Sequence, residues 1–280
     1  MNRKAIPYTA AALCAFAGNS LFTRLALGRT TIDATTFSAV RLAAGAGTLL
    51  LATLVRRRGA FRLSGSWLSG AVLFLYTVPF SFAYVSLTAG TGALILVGCV
   101  QVTMMLAALA AGERPHVLQW LGLGLAIAGL VYLVLPGLAA PPLFGSLSMA
   151  LAGIAWGFYS LRGRGAPNPL DQTTSNFVRA LPFVVVSVLV VRSHVHVDRN
   201  GVLLGLACGA LTSGLGYVLW YAAVKGLTAT RAALVQLPAP ILTGAGGVLF
   251  LGEPISRRLL LSALVVLGGI ALSLTGREQA

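Results

Sequence analysis

"LAAGERPHVL" (109–118) and "LFLGEPISRRL" (249–259) each set a Gly-Glu pair between two long apolar runs. Glu113 and Glu253 stand 140 positions apart in a chain of 280 residues. One charged punctuation mark recurring at half the chain length predicts an internal duplication. The motif also has a local reading. Gly112 and Gly252 suit the end of a helix. Glu113 and Glu253 would then sit near the start of the next helix, where a carboxylate meets free N–H groups and the positive dipole end. Pro115 and Pro254 fit the same first turn. Each glutamate is therefore expected to shape a tight hairpin, with a gating or coupling role as the alternative.

The duplication extends outward from the motif. Sliding the second half back by 140 lays "LTATRAALVQL" (227–237) on "LTAGTGALILV" (87–97), and Gly269 on Gly129. Earlier in each half the offset falls to 138 or 139, so that Arg179 meets Arg41 and Trp156-Gly157 meets Ala17-Gly18.

Composition sets the solvent. The chain is 57% hydrophobic and 9% charged, against about 25% charged in an average soluble domain. So little charge cannot cover a water-exposed surface of this size, but lipid can stand in for water. The net charge of +14 comes as short basic clusters between apolar runs, with no continuous stripe, so nucleic-acid binding is not expected. Cys14, Cys99 and Cys208 each lie inside an apolar run and read as packing residues, with no disulfide or metal spacing.

A helix needs about 20 apolar residues to cross the hydrocarbon core. Ten runs qualify, at roughly 5–27, 34–55, 66–87, 91–111, 116–136, 143–162, 172–191, 201–224, 230–250 and 256–275. The expected fold is an all-α integral membrane protein of ten transmembrane helices. Residues 1–138 and 139–280 form two five-helix repeats. Five is odd, so the second repeat must enter the membrane inverted, as in many secondary transporters. The start "MNRKAIPYTAAALCAFAGNS" imitates a signal peptide, but its counterpart in the sixth span argues that it is retained. With the N-terminus in the cytoplasm, twelve Lys and Arg flank the cytoplasmic side and five the outer side. Both termini are therefore expected inside. Ala, Gly and Arg richness points to a bacterial inner membrane.

The paired halves, Arg41 and Arg179 in the second and seventh spans, and "GERP" and "GEPI" followed by "LGLGLAIAGLVYL" and "LSALVVLGGIALSL" resemble the EamA-type branch of the drug/metabolite transporter superfamily. The resemblance covers nearly the whole chain. Within that branch the chain most resembles amino-acid exporters that favour aromatic substrates. The resemblance implies a central cavity lined by spans 1, 3, 4, 6, 8 and 9, with spans 5 and 10 as outer supports. The glycines of those two spans (Gly122, Gly124, Gly129, Gly268, Gly269) suit close helix packing.

Polar residues inside a membrane are costly, so their placement carries information. Asn19, Tyr76, Tyr84, Gln101, Trp156, Tyr159, Tyr217 and Gln236, with Phe80, are the expected substrate-binding set. Aromatic rings with polar tips suit a zwitterion with a bulky side chain, although Trp and Tyr also populate the interfacial belt. Gln101 falls on Ile241 and Gln236 on Leu96, so the polar lining is asymmetric, which favours an asymmetric organic substrate over an ion on the pseudo-axis. Pro79, Pro238 and Pro240 fall mid-span and are expected to kink helices or act as hinges. Three roles are open to Arg41 and Arg179: snorkelling, capping a neighbouring helix, or binding a substrate carboxylate. Their pairing by the repeat favours a shared architectural role.

The six acids and three histidines fall at span ends or in loops. No mid-span group can carry a proton, so facilitated transport without obligatory proton coupling is expected. No Walker A loop, H-E-x-x-H motif or membrane-embedded Ser–His pair occurs, so neither enzyme chemistry nor any metal or other cofactor is expected. The expected function is export of amino acids from the cytoplasm by alternating access. Alternatives are export of other metabolites or cationic drugs, or a non-transporting scaffold. The expected partners are a small-molecule substrate and the lipid bilayer. A monomer suffices, because one chain holds both repeats.

Overall fold

Backbone surrounded by lipid must satisfy its N–H and C=O groups internally, and a helix does so within one segment. The computed structural model describes residues 5–56, 64–112, 116–137, 140–163, 168–224 and 236–275. Within them the long elements are all helices. They are α1 (Ala5–Arg29), α2 (Ala34–Arg56), α3 (Trp67–Ser86), α4 (Ala89–Ala110), α5 (Val117–Val134), α6 (Leu143–Gly163) and α7 (Pro169–Val190). Next comes α8, which runs α-helical over Arg199–Ala207, π-helical over Cys208–Leu215 and α-helical again over Gly216–Val224. The last two are α9 (Pro238–Leu251) and α10 (Arg257–Thr275). From α1 to α8, eight helices are long and apolar enough to cross a bilayer, and α9 is a shorter apolar helix. α10 opens on Arg257 and Arg258. The chain is a multi-pass membrane protein.

Surface and interior are distributed as lipid requires. Leu121, Leu125, Val185, Leu189 and Leu264 are exposed, while Asn19, Arg41, Thr77, Ser81 and Ser213 are buried. This reverses the soluble pattern and places the polar groups on the bundle interior.

Local chemistry sets the helix ends. Ser66 and Thr88 accept the amides of Ser69 and Thr91 as N-caps of α3 and α4, and Asp198 caps α8 through Gly201. Gly112 and Gly252 have φ of 85° and 66°, the left-handed conformation that ends a helix and favours glycine. After α9 the amide of Glu253 donates to the Gly247 carbonyl at 3.0 Å, so the expected turn is present there. One expectation needs correction. The Glu253 side chain does not cap α10, because Ser256 accepts the Leu259 amide instead. Pro238 and Pro240 stand in the first turn of α9, directly after the helical Gln236 and the turn at Leu237, where proline at the first helical position is tolerated; residues 225–235 of the expected ninth span lie outside the described residues. Pro79 does lie inside α3. Glu113 lies outside the described residues.

The most extensive helix contacts are α5–α10, α1–α8, α3–α6, α2–α8, α4–α6, α2–α7, α3–α7, α1–α9 and α4–α9. Exchanging each helix with the one five later maps this set onto itself. Glycines make the closest approaches. A Cβ on Gly122 would strike the Gly269 carbonyl, and one on Gly269 would lie 2.6 Å from the Gly122 oxygen. Gly209 of α8 lies against the backbone of Arg41, and Gly70 of α3 against the backbone of Arg179. Arg41 and Arg179 thus each lie at a close glycine crossing.

Candidate functional site

A cavity of about 270 Å³ lies among α1, α2, α3, α4, α6, α7, α8 and α9. α5 and α10 contribute nothing to it. On α3, Leu73, Tyr76, Thr77 and Phe80 line it, an i, i+3, i+4, i+7 stripe that marks one helix face. α4 contributes Ala93 through Met104, α8 Thr212 through Trp220, and α9 Pro240 and Thr243. Thr212 and Ser213 lie in the π-helical stretch of α8, and π turns are frequent at functional sites.

Seven of the nine expected residues line this cavity: Asn19, Tyr76, Phe80, Gln101, Trp156, Tyr217 and Gln236. Tyr84 and Tyr159 do not. Tyr84 is fully buried beyond the cavity, donating to the Ala89 carbonyl at 3.3 Å. Tyr159 accepts from Asn176 Nδ2 at 3.3 Å and stacks behind Trp156 at 5.5 Å. Phe16 and Phe177 line the cavity without having been expected. They carry no polar atom, so an analysis of intramembrane polar groups passes over them.

Tyr76 is the hub. Its hydroxyl accepts from Asn19 Nδ2 at 3.2 Å and from Arg41 Nη2 at 3.3 Å. Its ring lies 4.8 Å from Trp156 and 5.4 Å from Phe80. Trp156 in turn meets Tyr217 edge-on at 5.6 Å. The result is an aromatic wall running from α3 through α6 to α8. Asn19 is fixed from its other side, where Oδ1 accepts from the Cys208 thiol at 3.1 Å.

Arg41 is the main departure from expectation. It lines the cavity at 3% exposure, deep among apolar helices. Nε donates to Ser213 Oγ at 3.4 Å, and Cζ stands 4.9 Å above the Phe80 ring. Nη1 has no hydrogen-bond partner. Among the described residues Arg41 is the one charged side chain lining the cavity. Arg179 is engaged elsewhere: Nη1 donates to the Ser64 carbonyl and Cζ lies 5.9 Å from the Trp67 ring. Each arginine lies at a glycine crossing, but the two differ in side-chain role. The signal for Arg41 was present in the sequence, since a charge two turns inside an apolar span is a functional flag by default.

Glu253 ties several helices together at one end of the bundle. Oε1 pairs with Arg24 Nε at 2.8 Å, and Oε2 accepts the Ala89 amide at 2.7 Å, capping α4. Arg24 Nη1 also donates to the carbonyls of Tyr84 and Val85 at the end of α3. α1, α3, α4 and the α9–α10 turn are thereby tied together.

Comparison with known proteins agrees with this architecture. Residues 143–275 match the model of the EamA-like transporter family. An uncharacterized protein of Pseudomonas aeruginosa is 49% identical, over 99% of this chain and 96% of its own. An uncharacterized transporter of Archaeoglobus fulgidus is 27% identical over the full length of both. A Salmonella typhimurium protein described as "Probable amino-acid metabolite efflux pump" is 25% identical over 67% of this chain and 68% of its own. A solved crystal structure, 19% identical, shares the fold with a TM-score of 0.67 over 98% of both chains. With its apolar helices and interior cavity, the chain belongs to the EamA-like transporter family and moves a small molecule across a membrane.

Proposed function

We propose that this transporter exports neutral amino acids, aromatic ones foremost, from the cytoplasm of a bacterium across its inner membrane. The observation that carries this reading is the cavity, in which an aromatic wall of Tyr76, Trp156 and Tyr217 faces one buried cation. Rings offer faces to a bulky side chain, and hydroxyls and amides offer partners to a polar head group. About 270 Å³ is at the lower edge of ligand pockets, which suits a small metabolite. Relatives named as amino-acid metabolite efflux pumps point the same way. A lone lining cation disfavours the cationic-drug alternative.

The mechanism we propose is alternating access between two inverted repeats, residues 1–138 and 139–280, with both termini cytoplasmic. The closure of the helix contacts under exchange of each helix with its fifth successor supports the duplication. The cavity runs toward the end where α6 and α8 finish, while the Arg24–Glu253 pair holds the other end shut. On the positive-inside orientation this is an inward-facing state. Pro79, inside the lining helix α3, serves as the hinge in this reading. Among the described residues no acid or histidine lines the cavity, so transport is facilitative; a monomer suffices because one chain holds both repeats.

The test is counterflow in liposomes holding the purified protein, with labelled phenylalanine, tryptophan, threonine and paraquat. Amino-acid counterflow at equal pH, unchanged by an uncoupler, is the expected result. Paraquat counterflow alone would replace the substrate class. Amino-acid uptake only under a pH gradient would overturn the facilitative mechanism.

A further inference from the structure

A guanidinium buried in a membrane protein is expensive unless an anion or a full set of acceptors meets it. Arg41 has neither. Among the described residues the one ion pair is Arg24–Glu253. The bonds Arg41 does make run to neutral hydroxyls at 3.3 and 3.4 Å, beyond the usual range for a charged donor. Nη1 makes none. The Phe80 face at 4.9 Å offsets part of the charge, as aromatic rings do for cations. What remains is a positive centre with donors to spare at the wall of an organic-sized cavity.

Its neighbours add donors of the same kind. The Tyr76 oxygen accepts two hydrogen bonds, from Asn19 and Arg41, which leaves its own O–H to donate. Ser213 contributes a second hydroxyl beside Nε. Both Tyr76 and Ser213 line the cavity with Arg41. A planar fork with a free Nη1, flanked by hydroxyl donors, matches a carboxylate. The Gly209 crossing holds the Arg41 backbone in place, and Tyr76, Ser213 and the Phe80 face orient its fork.

We propose that Arg41 is the substrate-carboxylate anchor of this cavity. The site selects a carboxylate with an apolar or aromatic body, and it does not depend on a counter-charge for the ammonium group. This deepens the amino-acid reading and rests on it for the transported species. Trp156 and Tyr217 hold the body while Arg41 and Tyr76 hold the head. The carboxylate exchanges two long bonds to neutral oxygens for short charge-assisted ones.

The experiment is calorimetric binding to the purified, detergent-solubilised protein of three probes sharing one side chain: L-phenylalanine, L-3-phenyllactate and L-phenylalaninamide. Phenylalanine and phenyllactate should bind within about threefold of each other. The amide should bind at least about 30-fold more weakly, the discrimination expected when a buried charge loses its partner. Arg41→Gln should bring phenylalanine down to the level of the amide, and Arg41→Lys should restore part of the difference. Because the acid-to-amide comparison uses the unaltered protein, it stands even if Arg41→Gln fails to fold. An amide that binds as well as the acid overturns the anchor. So does a folded Arg41→Gln protein that keeps the preference, even with amino-acid counterflow intact. Binding of phenyllactate without phenylalanine supports the anchor and overturns the amino-acid reading.

Discussion

Asp33 shows how much one carboxylate can organise at a helix end. Oδ1 accepts the amides of Thr35 and Thr36, and Oδ2 accepts the amide of His196 from the α7–α8 connection, each at 2.9 Å. Burial alone would raise its pKa, but the hydrogen bonds from Thr36, His196 and Thr35 outweigh burial and hold the carboxyl below its ordinary value. A lowered folded-state pKa contributes stability that is complete above the ordinary value of about 3.9 and is lost as pH falls through the folded-state value. Asp33→Ala should cost about 1 kcal/mol, the usual loss for an N-cap. Thermal unfolding in detergent between pH 3 and 7 checks both statements: the advantage over Asp33→Ala should be flat at neutral pH and shrink only at the acid end. The same scale shows what sequence can place. Depth along a helix is legible, which is why Asn19, Tyr76, Gln101 and Trp156 were identified. Azimuth and cavity length are not. Tyr84 continues the α3 stripe one turn beyond the end of the cavity, and Tyr159 sits three residues from Trp156 on a face turned toward α7.

Elements meet where side chains are absent. α5 and α10 cross with Gly122 against Gly269, and Gly129 against Val266, so their backbones touch. Helices in lipid gain little from apolar burial against each other, and close van der Waals packing takes its place. Gly122→Val or Gly269→Val should therefore destabilise the pair by about 2 kcal/mol, within the usual range for overpacking. Gly124→Val and Gly268→Val serve as controls, because a Cβ at either meets nothing within 4 Å. Thermal unfolding of the four variants should separate them cleanly; equal losses would mean propensity, not packing, sets the effect. The glycines at 112 and 252 were legible for a local reason: a left-handed helix end writes itself in one residue. Glu253 was only half legible. Its turn is local, but its acceptor role serves α4, 164 residues away in sequence, and no short-range pattern encodes that partner.

The molecule as a whole is asymmetric along its long axis, although its packing is pseudo-symmetric. Cavity-lining residues gather toward the ends of α6 and α8, while Glu253 and Arg24 bind the start of α4 and the end of α3. On the proposed alternating-access mechanism, a substrate leaving by that end requires Arg24 to release Glu253 or the α3 carbonyls it also holds. The pair is only partly exposed, with side-chain exposures of 22% and 11%, so its loss should count for more than a surface bridge. Glu253→Gln keeps the shape but weakens both the ion pair and the cap on the α4 N-terminus, where a carboxylate meets the helix dipole. It should shift the population toward the state open at that end. The readout is labelling of Ser20→Cys, a cavity position, by a membrane-impermeant thiol reagent applied from the α3–α4 side, with Cys14, Cys99 and Cys208 replaced by serine. Labelling should be slow with Glu253 intact and several-fold faster with Glu253→Gln. Equal rates would mean that apolar packing around Phe80 and Tyr84 forms the barrier. A charge exchange, Arg24→Glu with Glu253→Arg, should not restore slow labelling. Arginine at 253 cannot accept the Ala89 amide, and glutamate at 24 cannot donate to the α3 carbonyls, so closure depends on which partner carries which charge.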